Sequence, residues 1–217
     1  MTSTSRPEIV FLHTSPAHIA TFNALRDELA PGLSIGHVVR EDLLCAVRKA
    51  GSVTVAVELK LAEALNDIAR GGARRVICTC STLGGVAEAA DVPGAEVMRI
   101  DRPMVREAVR IGGRIAICAA LPETLAPTLA LVEEEVARSD RVASVTPHVF
   151  DGVWSDFSAG RLDDYYAGIA ARLRDVAEDA DVIVLAQASM ASAAELCPDI
   201  GIPVLSSPRM GFLAAIG

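Results

Sequence analysis

The sequence predicts an α/β protein of two pseudo-symmetric lobes, each with a four-stranded parallel sheet flanked by helices. Three observations support this fold class. Short β-branched runs alternate with longer segments of helical period. Several of the runs are continuously apolar, as in strands that helices cover on both faces. Blocks of the first half also return, in the same order, in the second half.

The strands and helices follow from composition and period. Between most of the runs lie segments whose apolar residues recur at intervals of three and four, which is the helical period. Alternation of strands with helices is typical of parallel sheets. The predicted strands are residues 8–13, 33–39, 75–78, 96–100, 114–118, 142–149, 182–186 and 203–205, and the main predicted helices are 17–30, 53–70, 123–138 and 162–180.

The repeated blocks indicate a duplication. Residues 9–13 with Pro16 align with 115–119 and Pro122, and two further pairs follow at nearly the same spacing: Cys80 with Ala188, and Val97 with Val204. So long a period is typical of two similar lobes and not of a solenoid. Chance similarity of short apolar runs is the alternative.

The duplication also predicts where the lobes begin and end. Pro103 suits the first turn of a helix that opens the second lobe, and the segment 206–208 would return the chain to the first. The predicted first lobe is therefore residues 1–102 plus 206–217, and the second is 103–205.

Composition argues for a small solute as partner. The net charge is −8, and the 20 basic residues form no cluster, so neither a nucleic acid nor an anionic membrane is an expected partner. The N-terminal residues lack the apolar region of a leader, and no stretch has the ~20 apolar residues of a membrane span. We therefore expect a cytoplasmic protein.

The five cysteines are scattered and odd in number, which predicts reduced thiols and not a disulfide framework. Cys78 and Cys80 could suggest a metal site or a redox pair. A zinc site needs about four ligands, however, and the four histidines show no ligand spacing. We therefore expect no metal, and the redox pair stays an alternative.

Polar residues collect where predicted strands end. In parallel sheets, ligands bind beyond the carboxyl ends of the strands, so the lobes are expected to form an active site in the cleft between them. Cys80 lies between such a strand end and a helix, where N–H groups and the helix dipole favour a thiolate. The candidate substrate-binding residues at these ends are His13, Ser15, Thr79, Ser81, Thr82, Thr124, Gln187 and Ser189.

The motif Cys80-Ser81-Thr82 resembles the first Cys-Asn-Thr motif of the aspartate/glutamate racemase superfamily, which includes hydantoin racemases, arylmalonate decarboxylase and maleate isomerase. Ala188-Ser189-Met190 falls at the place of its second motif, Cys-Thr-His. The turn from His13 to Ser15 lies where such racemases usually carry Asp-Ser. The resemblance implies two lobes, no cofactor, a small carboxylate substrate and subunits that often form homo-oligomers.

The departure from the family limits what the resemblance implies. Racemisation needs an acid and a base on opposite faces of a carbon, and the family uses two cysteines. Ala188, at the place of the missing second thiol, cannot exchange a proton. The leading hypothesis is therefore a cofactor-independent isomerase or lyase in which Cys80 is either the acid/base or a nucleophile. His13 or another group could replace the second thiol, and a non-catalytic carboxylate-binding protein is the alternative function.

Overall fold

Within residues 7–217, which the computed structural model describes, eight β-strands alternate with ten α-helices. Residues 1–6, on which part of the leader prediction rests, lie outside the described residues. In the first part of the chain the elements are β1 (Ile9–His13), α1 (Ala17–Leu29), β2 (Ile35–Val39), α2 (Glu41–Ala50), α3 (Val55–Arg70), β3 (Arg75–Cys78), α4 (Ser81–Ala89) and β4 (Glu96–Arg99).

The second part repeats the alternation. Short 3-10 turns at Pro122–Thr124 and Ala188–Met190 precede two of its helices. Its elements are α5 (Arg102–Ile111), β5 (Gly113–Ala119), α6 (Leu125–Ala137), β6 (Ala143–Val149), α7 (Val153–Ser158), α8 (Leu162–Ala177), β7 (Val182–Leu185), α9 (Ala191–Glu195), β8 (Val204–Ser206) and α10 (Ser207–Ile216).

The strands form two parallel four-stranded sheets of identical topology. The order is β2-β1-β3-β4 in the first sheet and β6-β5-β7-β8 in the second. The pairing of β1 with β3 sets Leu12 opposite Cys78, and the pairing of β5 with β7 sets Cys118 opposite Leu185. The predicted fold class is confirmed, and each of the eight predicted strands is present with ends within two residues of the prediction.

Helices cover both faces of each sheet, which is why the strands read as continuous apolar runs. In the first sheet Phe11 and Ile77 pack with Phe22 on one face, while Leu12 packs with Leu61 on the other. The second sheet has the same two-sided core. Burial of each such large side chain contributes roughly 1.5–3 kcal/mol to folding.

The chain divides into two compact units. The first runs to Ile100 and includes Gly211–Gly217, and the second is Asp101–Met210. In the first unit the Phe212 ring of α10 stacks on Phe11, with centroids 5.9 Å apart. No helix among residues 7–217 is both long and apolar enough to cross a bilayer.

Candidate functional site

The predicted residues of the first unit gather at one edge of its sheet. Because β1 and β3 are parallel neighbours, their carboxyl ends place His13 beside Thr79, and Cys80 directly precedes α4. Cys80, Ser81 and Thr82 are all buried, with exposed fractions of 8, 5 and 7%. The strand order therefore brings the first predicted motif and the strand-one turn together.

Cys80 is a buried thiol surrounded by hydrogen-bond donors. Burial raises its pKa, whereas hydrogen bonds from the Thr14 hydroxyl, from the N–H groups of Leu83 and Thr82 and from the Thr82 hydroxyl oppose that rise. The pKa of the Cys80 thiol is therefore raised overall. The expectation that the helix N-terminus favours a thiolate is therefore wrong, because desolvation of the charged sulfur outweighs the donors.

His13 is fully buried, and both of its ring nitrogens have protein partners. Nδ1 lies 2.9 Å from Thr79 Oγ1, and Nε2 lies 2.9 Å from His37 Nδ1. Burial and the neighbouring His18 and His37 lower the pKa of His13 to about 3. The ring is therefore neutral at physiological pH and poorly placed to replace a missing acid or base; its substrate-binding role stays a prediction.

Ser15 and the start of α4 offer the hydroxyl donors of this edge. Ser15 Oγ accepts a 3.4 Å hydrogen bond from the N–H of Ala17, at the beginning of α1. Ser81 and Thr82 form the first turn of α4. Backbone N–H groups at a helix N-terminus and nearby hydroxyls together suit an anion such as a carboxylate.

The remaining predicted residues gather at the equivalent edge of the second sheet. Thr124 closes the 3-10 turn after β5, and Gln187 and Ser189 follow β7. Ser189 Oγ lies 3.0 Å from the hydroxyl of Tyr165, which is fully buried. Gln187 Oε1 accepts hydrogen bonds from the N–H groups of Ala120 at 2.6 Å and Leu121 at 3.1 Å.

The backbone identifies Gln187, and not Ala188, as the equivalent of Cys80. Each is the residue before the turn: Leu83 N–H bonds to Cys80 O, and Met190 N–H bonds to Gln187 O. The residues before them, Thr79 and Ala186, are equivalent too, because Thr79 N–H bonds to Leu12 O and Ala186 N–H bonds to Cys118 O. The assignment of the missing thiol to Ala188 is thus wrong by one residue, because the alignment matched Ser189 to Ser81 without regard to strand register.

The other cysteines are unsuited to the same chemistry. Cys118 lies within β5, and burial raises its pKa to about 12. Cys45 is exposed on α2, and Cys197 is buried after α9. Cys78 Sγ donates to Cys80 O at 3.7 Å, and the two side chains are not joined in a disulfide. Among the described residues no His, Cys, Asp and Glu side chains form a group of three that could hold a metal.

Sequence reasoning missed several members of the two edges. Thr14 stands between two residues that were predicted, so its place in the strand-one turn was the available signal. His37 and Tyr165 reach the edges from β2 and α8. Their contacts depend on register and on helix packing, which motif spacing does not encode.

The sequence matches the Asp/Glu/hydantoin racemase family over residues 22–215. No curated protein matches it significantly. The fold is similar to that of allantoin racemase from Klebsiella pneumoniae, with 18% identity, a TM-score of 0.64 and coverage of 97% of this chain and 86% of that chain.

Two further solved structures share the fold. For aspartate racemase from Picrophilus torridus the identity is 10% and the TM-score 0.71, with 96% of this chain and 93% of that chain covered. For arylmalonate decarboxylase the identity is 17% and the TM-score 0.55, with 96 and 90% covered. With the family match spanning most of its length, the chain belongs to the Asp/Glu/hydantoin racemase family and is a racemase-like enzyme.

Proposed function

We propose that the protein is a cofactor-independent isomerase or lyase that acts on a small carboxylate through one cysteine, Cys80. The observation that carries the proposal is the position of this thiol. Of the five cysteines, Cys80 alone stands where a strand passes into a helix N-terminus, with N–H and hydroxyl donors around its sulfur.

The protonation state of Cys80 supports a role as proton donor. A thiol with a raised pKa is neutral at pH 7, and only the thiolate is an effective nucleophile. A neutral thiol can instead deliver its proton to a carbanion. In a decarboxylation, the C–C bond breaks, CO2 leaves, the carbanion takes the Cys80 proton, and water reprotonates the thiolate. The acid role is therefore favoured over nucleophilic attack.

Gln187 supplies no second proton donor at the position equivalent to Cys80. A carboxamide is neither a practical acid nor a base near pH 7, and the oxygen of this one is already bonded to Ala120 and Leu121. Two-thiol racemisation therefore has no second thiol to use. Decarboxylation or isomerisation with a single stereospecific protonation suits the residues present.

Binding of the substrate carboxylate is assigned to the start of α4. Ser81 and Thr82 supply hydroxyls beside the N–H groups of the first turn, and Ser15 adds a third. We also assign binding roles to Thr124 and Ser189, whereas the predicted binding role of Thr79 is not kept, because its hydroxyl is engaged by His13 and by Leu12 O. A cytoplasmic protein without nucleic-acid or membrane partners remains part of this proposal on the evidence of charge and composition. A homo-oligomer is an option that the family resemblance alone suggests.

Deuterium exchange tests the proposal. Malonates, hydantoins and amino acids would be incubated in D2O with the wild type, with Cys80→Ala and with Cys45→Ser as the matched control at an exposed thiol. We expect incorporation by the wild type and Cys45→Ser, and its loss in Cys80→Ala. Equal incorporation by all three would remove the role of Cys80. Dicarboxylate binding that survives Cys80→Ala, without any exchange, would indicate the non-catalytic binder instead.

A further inference from the structure

A chain of hydrogen-bonded polar side chains ends beside Cys80; His13 and Thr79 are buried, and Asn23 and His37 are half-buried. Asn23 Oδ1 on α1 lies 3.2 Å from His37 Nε2, and His37 Nδ1 lies 2.9 Å from His13 Nε2. His13 Nδ1 lies 2.9 Å from Thr79 Oγ1, which also bonds to Leu12 O at 3.2 Å. We call this chain from Asn23 to Thr79 the relay. It joins α1, β2 and β1 to the residue before Cys80.

The relay forms a continuous run of hydrogen bonds through neutral rings. In one arrangement Asn23 Oδ1 accepts from His37 Nε2–H, His37 Nδ1 accepts from His13 Nε2–H, and His13 Nδ1 accepts from the Thr79 hydroxyl. In the other arrangement the Asn23 amide is rotated so that its NH2 group donates to His37, each hydrogen bond of the relay runs in the opposite direction, and the Thr79 hydroxyl donates to Leu12 O. The two arrangements differ only in the tautomers of the two histidines and in the orientation of the Asn23 amide. In both, each imidazole nitrogen is engaged. Removal of His13, His37 or Thr79 therefore leaves a buried side chain without one of its partners, which costs roughly 1–3 kcal/mol.

The second unit builds the same sheet without the relay. Arg40 N–H bonds to His13 O as Phe150 N–H bonds to Ala119 O, so Ala119 is the equivalent of His13. By the same register, Ala186 is the equivalent of Thr79.

The equivalent of His37 in the second unit is Pro147, which has no polar side chain. His37 pairs with Phe11, and Pro147 pairs with Ile117, the equivalent of Phe11. Two alanines and a proline thus suffice for this fold, and Ala119 and Ala186 are as buried as His13 and Thr79. The relay accompanies the thiol and is not a requirement of the sheet.

We propose that the relay is a positioning device, which fixes the Thr79–Cys80 turn so that the thiol stays against the N–H groups at the start of α4. The inference rests on the proposed function, because it takes Cys80 as the reacting group. Thr79 and His13 act through the turn and do not contact the substrate in this scheme. His37 and Asn23 hold His13 in the required tautomer.

Alkylation of individual thiols tests the relay independently of turnover. All variants would carry Cys45→Ser, so that the exposed thiol is absent. Iodoacetamide labelling at pH 8, with peptide mass spectrometry, gives the rates for Cys80 and for Cys78 in the same unit. Thr79→Val removes the hydroxyl at nearly constant volume, Thr79→Ser restores it, and His37→Phe removes the ring nitrogens one step further away.

We expect Thr79→Val and His37→Phe each to raise the Cys80 rate at least fivefold, because the loosened turn exposes the sulfur. The Cys78 rate should stay within twofold of the wild type, and Thr79→Ser should keep the wild-type Cys80 rate. Unchanged Cys80 rates in either disruptive variant would overturn the relay. A parallel rise at Cys78 would also do so, since it would show general destabilisation of the unit.

A double variant guards against misfolding, and the deuterium assay separates the two proposals. His13→Ala with Thr79→Ala copies the alanine pair of the second unit, which the same sheet accommodates, and should give the same selective rise at Cys80. If alkylation responds as expected while Cys80→Ala retains full exchange activity, the proposed function fails and the relay stands. If exchange depends on Cys80 while alkylation is insensitive to the relay, the relay alone fails.

Discussion

Gln187 occupies in the second unit the backbone position that Cys80 occupies in the first. Each residue lies two positions after the last residue of its strand, and each accepts the first backbone hydrogen bond of the turn that follows. The side chains also reach equivalent turns, since Cys80 contacts Thr14 and Gln187 contacts Ala120. One fold therefore presents a proton donor at one position and a fixed carboxamide at its counterpart.

Gln187 should be important for stability. Gln187→Leu keeps most of the volume but leaves the N–H groups of Ala120 and Leu121 without their acceptor, so the free energy of unfolding should fall by about 1–3 kcal/mol. Gln187→Glu keeps an acceptor oxygen and should stay closer to the wild type at pH 7. Urea denaturation measures both. Equal stability of the Leu variant and the wild type would show that water satisfies these donors.

Gln187→Cys should extend the reaction if the proposed function holds. The resemblance assigns racemisation to cysteines at both motif positions, and this variant supplies the second. We expect it to racemise single enantiomers of a substrate that the wild type only protonates, as measured by chiral chromatography. Gln187→Ser is the matched control, because it has similar size but no thiol. Racemisation by the Ser variant at the same rate would refute the prediction.

His13 should make the protein less stable as the pH falls. Its pKa is about 3 in the folded chain, against 6.5 as the ordinary value, so the unfolded chain binds a proton that the folded chain does not. Between these two pKa values, stability should fall with decreasing pH by up to ~1.4 kcal/mol per unit. His13→Ala should have a shallower slope in urea titrations from pH 7 to 4.5.

Thr79→Ser, which keeps the partner of His13, should retain the wild-type slope. An identical slope in His13→Ala and the wild type would mean that His13 is protonated equally in both states. Carboxylates contribute to the pH dependence of every variant, so the comparison rests on the differences between slopes and not on any one curve.

Gly211 should tolerate no side chain. A Cβ built at this position of α10 would lie 2.4 Å from both the carbonyl oxygen and Cδ1 of Ile100. Gly211→Ala should therefore cost about 1–3 kcal/mol through forced displacement, although alanine usually favours a helix. Thermal unfolding measures the cost. Gly201→Ala meets no atom within 4 Å and should leave the melting temperature nearly unchanged; equal effects of both changes would contradict the clash.

The sequence was sufficient for the fold because the fold depends on local patterns. Continuous apolar runs such as residues 9–12 and 182–185 identify buried parallel strands directly. The position of Cys80 at a strand end was also predictable from its neighbours. Its protonation state was not, because the desolvation of a thiol depends on the packing of α4 over the sheet edge.

Equivalence between the two halves was harder to read. Spacing along the chain paired Cys80 with Ala188, and the hydrogen bonds of the strands move the equivalence by one residue, to Gln187. The contact of His37 with His13 was not predictable from the sequence, because the two residues are 24 positions apart in the chain. Strand pairing, which no spacing rule specifies, makes the two rings neighbours.

The burial and the raised pKa of Cys80 also determine how readily its thiol is oxidised. Peroxides attack the thiolate in preference to the thiol, and a sulfur that is 8% exposed with a raised pKa offers little of that form. Cys80 should therefore stay reduced through aerobic purification without added reductant, while the exposed Cys45 is oxidised. The proposed role of Cys80 as proton donor and its resistance to oxidation would then have the same cause, the desolvation of one sulfur atom.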